Sequence, residues 1–146
     1  MKIGEVMSHN PATIKLGTSM KEAAALLQRS QASDLMVVED DNTFVGVLSE
    51  GDIVRAVMPR FEDMLLSSGN LYELFGMFLE KGDEIAHHPI DELVIRKAEV
   101  MTPDEDAVKA AAMMVSKQIR RLPVVDGSLL VGTISRADIA VAVLGD

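Results

Sequence analysis

Apolar positions along the chain switch between a helical and an extended period, and the switches mark the elements. Met20, Ala23, Ala24 and Leu27 stand at i, i+3, i+4 and i+7. That stripe predicts an amphipathic helix running to about Ser30, with Ser19 and Glu22 in capping-box spacing at its start. Before it, Ala12 to Leu16 is short and partly β-branched after Pro11, which suits an opening strand. After it, Leu35 to Glu39 and Thr43 to Leu48 read as two strands joined by the turn Asp40-Asp41-Asn42. Ser49 then caps a helix that reaches about Met58, ahead of Pro59.

The same order returns. Met20 to Leu27 recurs as Ala107 to Met114, Leu35 to Val38 as Leu122 to Val125, and Val45 to Ile53 as Val131 to Ile139, at offsets of 87, 87 and 86. A tandem duplicate implies two similar halves packed face to face, with any cleft between them built by both. The class is therefore α/β (α+β), with two β-α-β-β-α repeats in pseudo-twofold contact. In the second repeat a helix from Asp106 to about Lys117 precedes strands Leu122 to Val125 and Leu129 to Ile134, and a helix from Arg136 to Leu144 closes it. One step differs. Matching Met7 to Met101, the distance to the helix start is 12 positions in the first copy and 5 in the second. On that register the second opening strand is short or missing. A stretch absent from the sequence is favoured over a true loss, because an unfilled sheet edge exposes unpaired backbone groups.

The boundaries read as 1–58 for the first repeat, 59–93 for an insert and 94–146 for the second repeat. The insert holds Phe61, Tyr72, Phe75 and Phe78, and Leu71, Leu74, Phe75, Phe78 and Leu79 follow helical spacing. It predicts an amphipathic helix that either covers its own subunit or meets a partner.

Composition narrows the partners. Of 146 residues, 48% are hydrophobic, which excludes a disordered chain, and the absence of cysteine excludes disulfides and thiolate metal sites. A net charge of −9 argues against a nucleic-acid polymer. No apolar run suggests a membrane span or a signal peptide, so the localisation expected is cytoplasmic. His87-His88 with Asp91, Glu92 and His9 read as solvent-facing, so no metal is expected. No nucleophile and base arrangement suggests an enzyme.

The candidate chemistry lies at the strand-to-helix turns. Ser49 and Ser135 precede helices whose first-turn amides lack intrahelical partners, a favourable place for an anion. Asp52 and Asp138, three positions on, suit the two hydroxyls of a ribose. Ser-x-x-Asp is equally the spacing of a capping box, which needs no ligand. Arg120 and Arg121 are candidate phosphate ligands, or solvated residues after a helix.

Val6-Met7-Ser8 and Val100-Met101-Thr102, the small-residue helices, the strands ending Val-Val, and Gly-x-x-Ser-x-x-Asp at Gly46 to Asp52 and Gly132 to Asp138 together resemble tandem cystathionine-beta-synthase (CBS) domains, the Bateman module. The resemblance implies a regulatory sensor that binds AMP, ADP, ATP or S-adenosylmethionine and needs no cofactor, with an unidentified effector protein sensing the change; the stripe Leu71, Leu74, Phe75 and Phe78 predicts that the module is a homodimer. It further implies two cross-built clefts. Cleft A joins Ser135 and Asp138 to the region of Thr13 and to Ala32-Ser33-Asp34. Cleft B joins Ser49 and Asp52 to Arg120, Arg121 and the segment after Met101. Asp34 would repel a phosphate in A, so nucleoside-like or sulfonium ligands suit A and phosphorylated ones B. The alternative is a protein-interaction or scaffolding module with empty clefts that works through its aromatic insert.

Overall fold

Each half builds a small sheet against a pair of helices, and the halves exchange their opening segments. The computed structural model describes residues 1–58, 60–66 and 70–145; Pro59 and Asp146, boundary residues in the sequence reading, lie outside these. The first sheet runs β1 (Thr13–Lys15), β2 (Asp34–Val38), β3 (Phe44–Ser49), with β1 parallel and β3 antiparallel to β2. The second holds β4 (Arg121–Asp126) and β5 (Leu129–Ser135), antiparallel. The helices are α1 (Ile3–Val6), α2 (Met20–Ser30), α3 (Glu50–Val57), α4 (Phe61–Leu66), α5 (Leu71–Ile85), α6 (Ala107–Lys117) and α7 (Arg136–Leu144). Ile90–Leu93 forms a 3-10 turn.

Local sequence explains the ends. The Ser19 hydroxyl accepts from the Glu22 N–H to start α2, and Asp106 accepts from Val108 N–H to start α6. Gln31 and Gln118, 87 apart, end α2 and α6 in the left-handed conformation. Asn70 accepts from Tyr72 and Glu73 N–H to start α5, which packs on α3 as an amphipathic helix should.

The exchange shows in matched hydrogen bonds. Ile3 N–H donates to Glu105 O and Ala107 N–H to Met1 O, while Ile90 N–H donates to Thr18 O and Met20 N–H to His88 O, each pair 87 positions from its sister. Ile3 is fully buried in the core of the second half, with Met101, Ala110, Met114, Leu122 and Ile134. Ile90 is fully buried in the core of the first, with Ala23, Leu35, Val37 and Leu48. A third cluster of Met36, Val38 and Leu130 joins the sheets, where Phe44 N–H donates to Ser128 O and Leu130 N–H to Asn42 O.

This register corrects the expected deficit of the second repeat. Met101 pairs in parallel with Val124 as Ile14 pairs with Val37, again 87 apart, so Val100-Met101-Thr102 is the counterpart of Thr13-Ile14-Lys15 and not of Val6-Met7-Ser8. The opening strand is present but reduced to one bridge. Pro123 supplies the reason. At its sister position Met36 N–H donates to Ala12 O, and proline has no N–H to give. Relative to the first repeat the second has no gap before its helix: the offset stays at 87 through β2 and β4 and falls to 86 only in the shorter second hairpin turn.

Candidate functional site

Two clefts lie between the halves, and each has one wall made from a crossing segment. Ser8 forms an antiparallel bridge with Thr133 on the free edge of β5, and Ile95 forms one with Val47 on the free edge of β3. Both crossings press against glycine. A Cβ on Gly46 would stand 2.3 Å from Ile95 O, and one on Gly132 would stand 2.4 Å from Ser8 O, so only glycine permits these approaches.

Cleft B encloses about 470 Å³ and is lined by Ile95, Ala98 and Glu99 of the crossing, by Ser49, Glu50 and Gly51 at the start of α3, and by Arg120 and Arg121. Cleft A encloses about 420 Å³ and is lined by Ser8, Asn10, Pro11 and Ala12 of the other crossing, with Gln31, Ala32 and Thr133. Asp34 and Arg121 line both.

The candidate residues divide accordingly. Ser49, Arg120 and Arg121 meet in cleft B as the resemblance implies. Five others need correction. Thr13 is absent from cleft A: on the pleated strand Ile14 points into the core while Thr13 and Lys15 face outward, toward Thr18 and Arg29 beside α2. The residues that wall cleft A come just before that strand. Ser33 lines cleft B instead of cleft A, because its carbonyl accepts from Glu50 N–H and so sits beside the start of α3. Ser135, Asp52 and Asp138 line neither cleft.

Both Ser-x-x-Asp turns are complete capping boxes. Ser49 Oγ accepts from Asp52 N–H at 3.2 Å, and Asp52 Oδ2 accepts from Ser49 N–H at 3.1 Å. In the second copy the matching distances are 3.1 and 2.9 Å. The boxes differ at their outer oxygen. Asp52 Oδ1 accepts from Arg55 Nη2 at 2.6 Å, whereas the residue in the position of Arg55 is Val141, and Asp138 Oδ1 has no partner among the described residues. Burial raises the Asp52 carboxyl, yet its bonds to Ser49 and Arg55 outweigh this and hold it below the ordinary value.

Asp34 behaves oppositely. Burial pushes its carboxyl above the ordinary value, although the Ser33 hydroxyl bond and the charges of Arg120 and Arg121 pull it down; Glu50 adds to the rise. Arg121 Nη1 donates to Thr133 Oγ1 at 2.9 Å, which anchors it toward cleft A. Glu99 is ion-paired with Lys117 at the mouth of cleft B. Cleft B thus carries carboxylates beside its two arginines, a balance that sequence spacing concealed. Among the described residues no three metal-ligating side chains cluster, and no helix is long and apolar enough to cross a membrane.

Comparison with known proteins accords with this architecture. A family model for the CBS domain matches residues 3–59 and 90–145, and the chain belongs to that family. An uncharacterized protein of Methanocaldococcus jannaschii is 27% identical across 99% of this chain and 92% of its own length. Two further relatives from that organism are matched over only 40% and 31% of their lengths. A homoserine O-acetyltransferase of Methanohalobium evestigatum is 28% identical over 94% of this chain but 23% of its own length. Among solved structures, CBSX2 of Arabidopsis thaliana superposes with a TM-score of 0.79 at 24% identity, covering 99% of this chain and 94% of that one. A CBSX2 structure in complex with AMP gives 0.76 at 24% identity, covering 99% and 96%. The CBS domain pair of protein MJ0100, in complex with 5'-methylthioadenosine and S-adenosyl-L-methionine, gives 0.69 at 22% identity, covering 99% and 97%.

Proposed function

We propose that the chain is a regulatory module that binds an adenosyl ligand between its two CBS copies and passes the occupied state to an effector protein. The observation that carries this reading is cleft B, where the start of α3, Ser49, Arg120 and Arg121 surround one space walled by both copies. A phosphate there meets two guanidinium groups at the positive end of α3, whose Glu50 and Asp52 amides are already taken by Ser33 O and Ser49 Oγ. AMP, ADP or ATP suits this cleft. Cleft A, where Arg121 offsets Asp34 among otherwise neutral polar groups and no second arginine is present among the described lining residues, suits an uncharged or sulfonium adenosyl ligand such as S-adenosylmethionine. The ligands bound by the CBSX2 and MJ0100 structures support both choices. A role in catalysis has no such support: the acetyltransferase shares with this chain under a quarter of its length.

Isothermal calorimetry with AMP, ADP, ATP and S-adenosylmethionine tests the reading. Binding of at least one is expected, with a stability gain of about 2.7 kcal/mol at a hundredfold excess over Kd. No heat from any of them, and no rise in Tm, would leave the scaffolding alternative in its place.

The module works as a homodimer in this reading. Leu71, Tyr72, Phe75 and Leu79 leave an apolar stripe of α5 exposed. A second face favours the same partner: Val108, Val115 and Val141 are exposed on α6 and α7 where the sister positions of the first copy carry Lys21, Gln28 and Arg55. Each of these faces leaves several large apolar side chains in water, and a twofold axis lets one patch meet its own copy. Light scattering should give a dimer, and Phe75→Glu with Phe78→Glu should give folded monomers by circular dichroism. A monomeric wild type at high concentration ends this part of the reading.

A further inference from the structure

Asp34 and Arg121 occupy sister positions 87 apart, carry opposite charges, and alone among the described lining residues belong to both clefts. Asp34 lies opposite Ser49 in the first sheet as Arg121 lies opposite Ser135 in the second. We propose that this pair couples the clefts, so that an anionic ligand in cleft B strengthens a cationic adenosyl ligand in cleft A and weakens an anionic one there. The inference rests on the ligand-binding reading above.

Two features of the pair carry the coupling. The first is charge. Arg120 and Arg121 both act on the half-buried Asp34 carboxylate. A phosphate in cleft B takes up that positive charge, and Asp34 then presents its own charge to cleft A less compensated. Partial burial limits screening by salt. The second is position. Arg121 is held by the hydroxyl of Thr133, a fully buried residue whose backbone exchanges two hydrogen bonds with Ser8 in the wall of cleft A. A guanidinium that turns toward a phosphate in cleft B gives up that bond and withdraws its positive charge from cleft A, which favours a cation there and disfavours an anion. Uncovering one unit of charge on Asp34, roughly 8 Å from a charged ligand at an effective dielectric of about 20 to 40, changes that ligand's binding by about 5- to 30-fold.

Calorimetry with S-adenosylmethionine, titrated with and without saturating AMP, reads the factor directly. AMP should tighten S-adenosylmethionine by about 5- to 30-fold and change uncharged 5'-methylthioadenosine by less than about twofold, and reciprocity requires S-adenosylmethionine to tighten AMP by the same factor. In Asp34→Asn, each ligand measured against its own baseline, the factor should fall toward one. Where only AMP binds, its second site should be weaker by the same factor. Independent affinities, mutual displacement of the two ligands, or two equal AMP sites overturn the coupling and leave the ligand-binding reading standing. Silence from every ligand removes that reading instead.

Discussion

Gly46→Ala tests the crossing that builds cleft B. The added methyl carbon stands 2.3 Å from Ile95 O and 2.8 Å from Val94 Cγ1, and the first of these is backbone that cannot rotate away. The crossing segment must retreat. Retreat endangers the bond from Val47 N–H to Ile95 O at 3.1 Å and its reciprocal at 2.9 Å. Overpacking of this kind costs about 1–3 kcal/mol, and two hydrogen bonds contribute about 0.5–1.5 kcal/mol each. A loss of about 2–6 kcal/mol follows, which for a chain of this length lowers Tm by roughly 4–24 °C. Since Ile95, Ala98 and Glu99 wall cleft B, AMP should also bind more weakly to whatever fraction remains folded. Thermal unfolding followed by circular dichroism, paired with calorimetry, measures both. Gly76→Ala is the control: nothing lies within 4 Å of its Cβ on α5, and a helical glycine replaced by alanine gains about 0.5–1 kcal/mol. A Gly46→Ala protein with wild-type Tm and wild-type AMP affinity would refute the claim that the crossing depends on this close approach.

Other substitutions address single links. Asp34→Asn should raise Tm at neutral pH: a carboxyl whose folded pKa is raised costs stability as pH climbs through the folded value, so the gain over wild type should vanish below its unfolded pKa of about 3.9. A pH-independent difference would assign the effect to packing. Arg120→Ala with Arg121→Ala should weaken ATP more than adenosine, and the difference should shrink as salt rises; equal losses would make the arginines structural. Ser135→Ala removes the acceptor for Asp138 N–H and should cost about 0.5–2 kcal/mol in urea unfolding, and an unchanged midpoint would contradict the capping role.

The sequence made the helices, hairpins and caps legible because each rests on local chemistry. The stripe from Met20 to Leu27, the hydroxyl of Ser19 and the turn at Asp40 to Asn42 need no distant partner to be read. Ownership of the crossing segments was not legible in that way. Ile3 and Ile90 are apolar in any arrangement, and exchanging them between two alike cores leaves the hydrophobic pattern unchanged. The chance likeness of Val6-Met7 to Val100-Met101 then drew the register seven residues off. Two signals mark the right one: Ile3-Gly4-Glu5-Val6 matches Ile90-Asp91-Glu92-Leu93 at the common offset, and Pro123 stands where a full edge ladder needs an N–H. Thr13 and Ser33 were misplaced for the same reason, since which cleft a loop faces depends on the pairing of β2 with β3 and on the crossing, neither of which is local.

The exchange also bears on how occupancy becomes a signal. The segment from Ile90 to Met101 is anchored in the core of the first copy at one end and against β4 of the second copy at the other, and its middle is the wall of cleft B. The segment from Ile3 to Lys15 repeats this in reverse around cleft A. A ligand in either cleft therefore touches a tether strung between the copies as well as the face of one copy. Binding energy spent on moving that tether moves one half against the other, provided the ligand favours one of the two arrangements. Packed cores resist gradual deformation, so the halves would shift as bodies, with Gly46 and Gly132 as the points where the tethers are gripped.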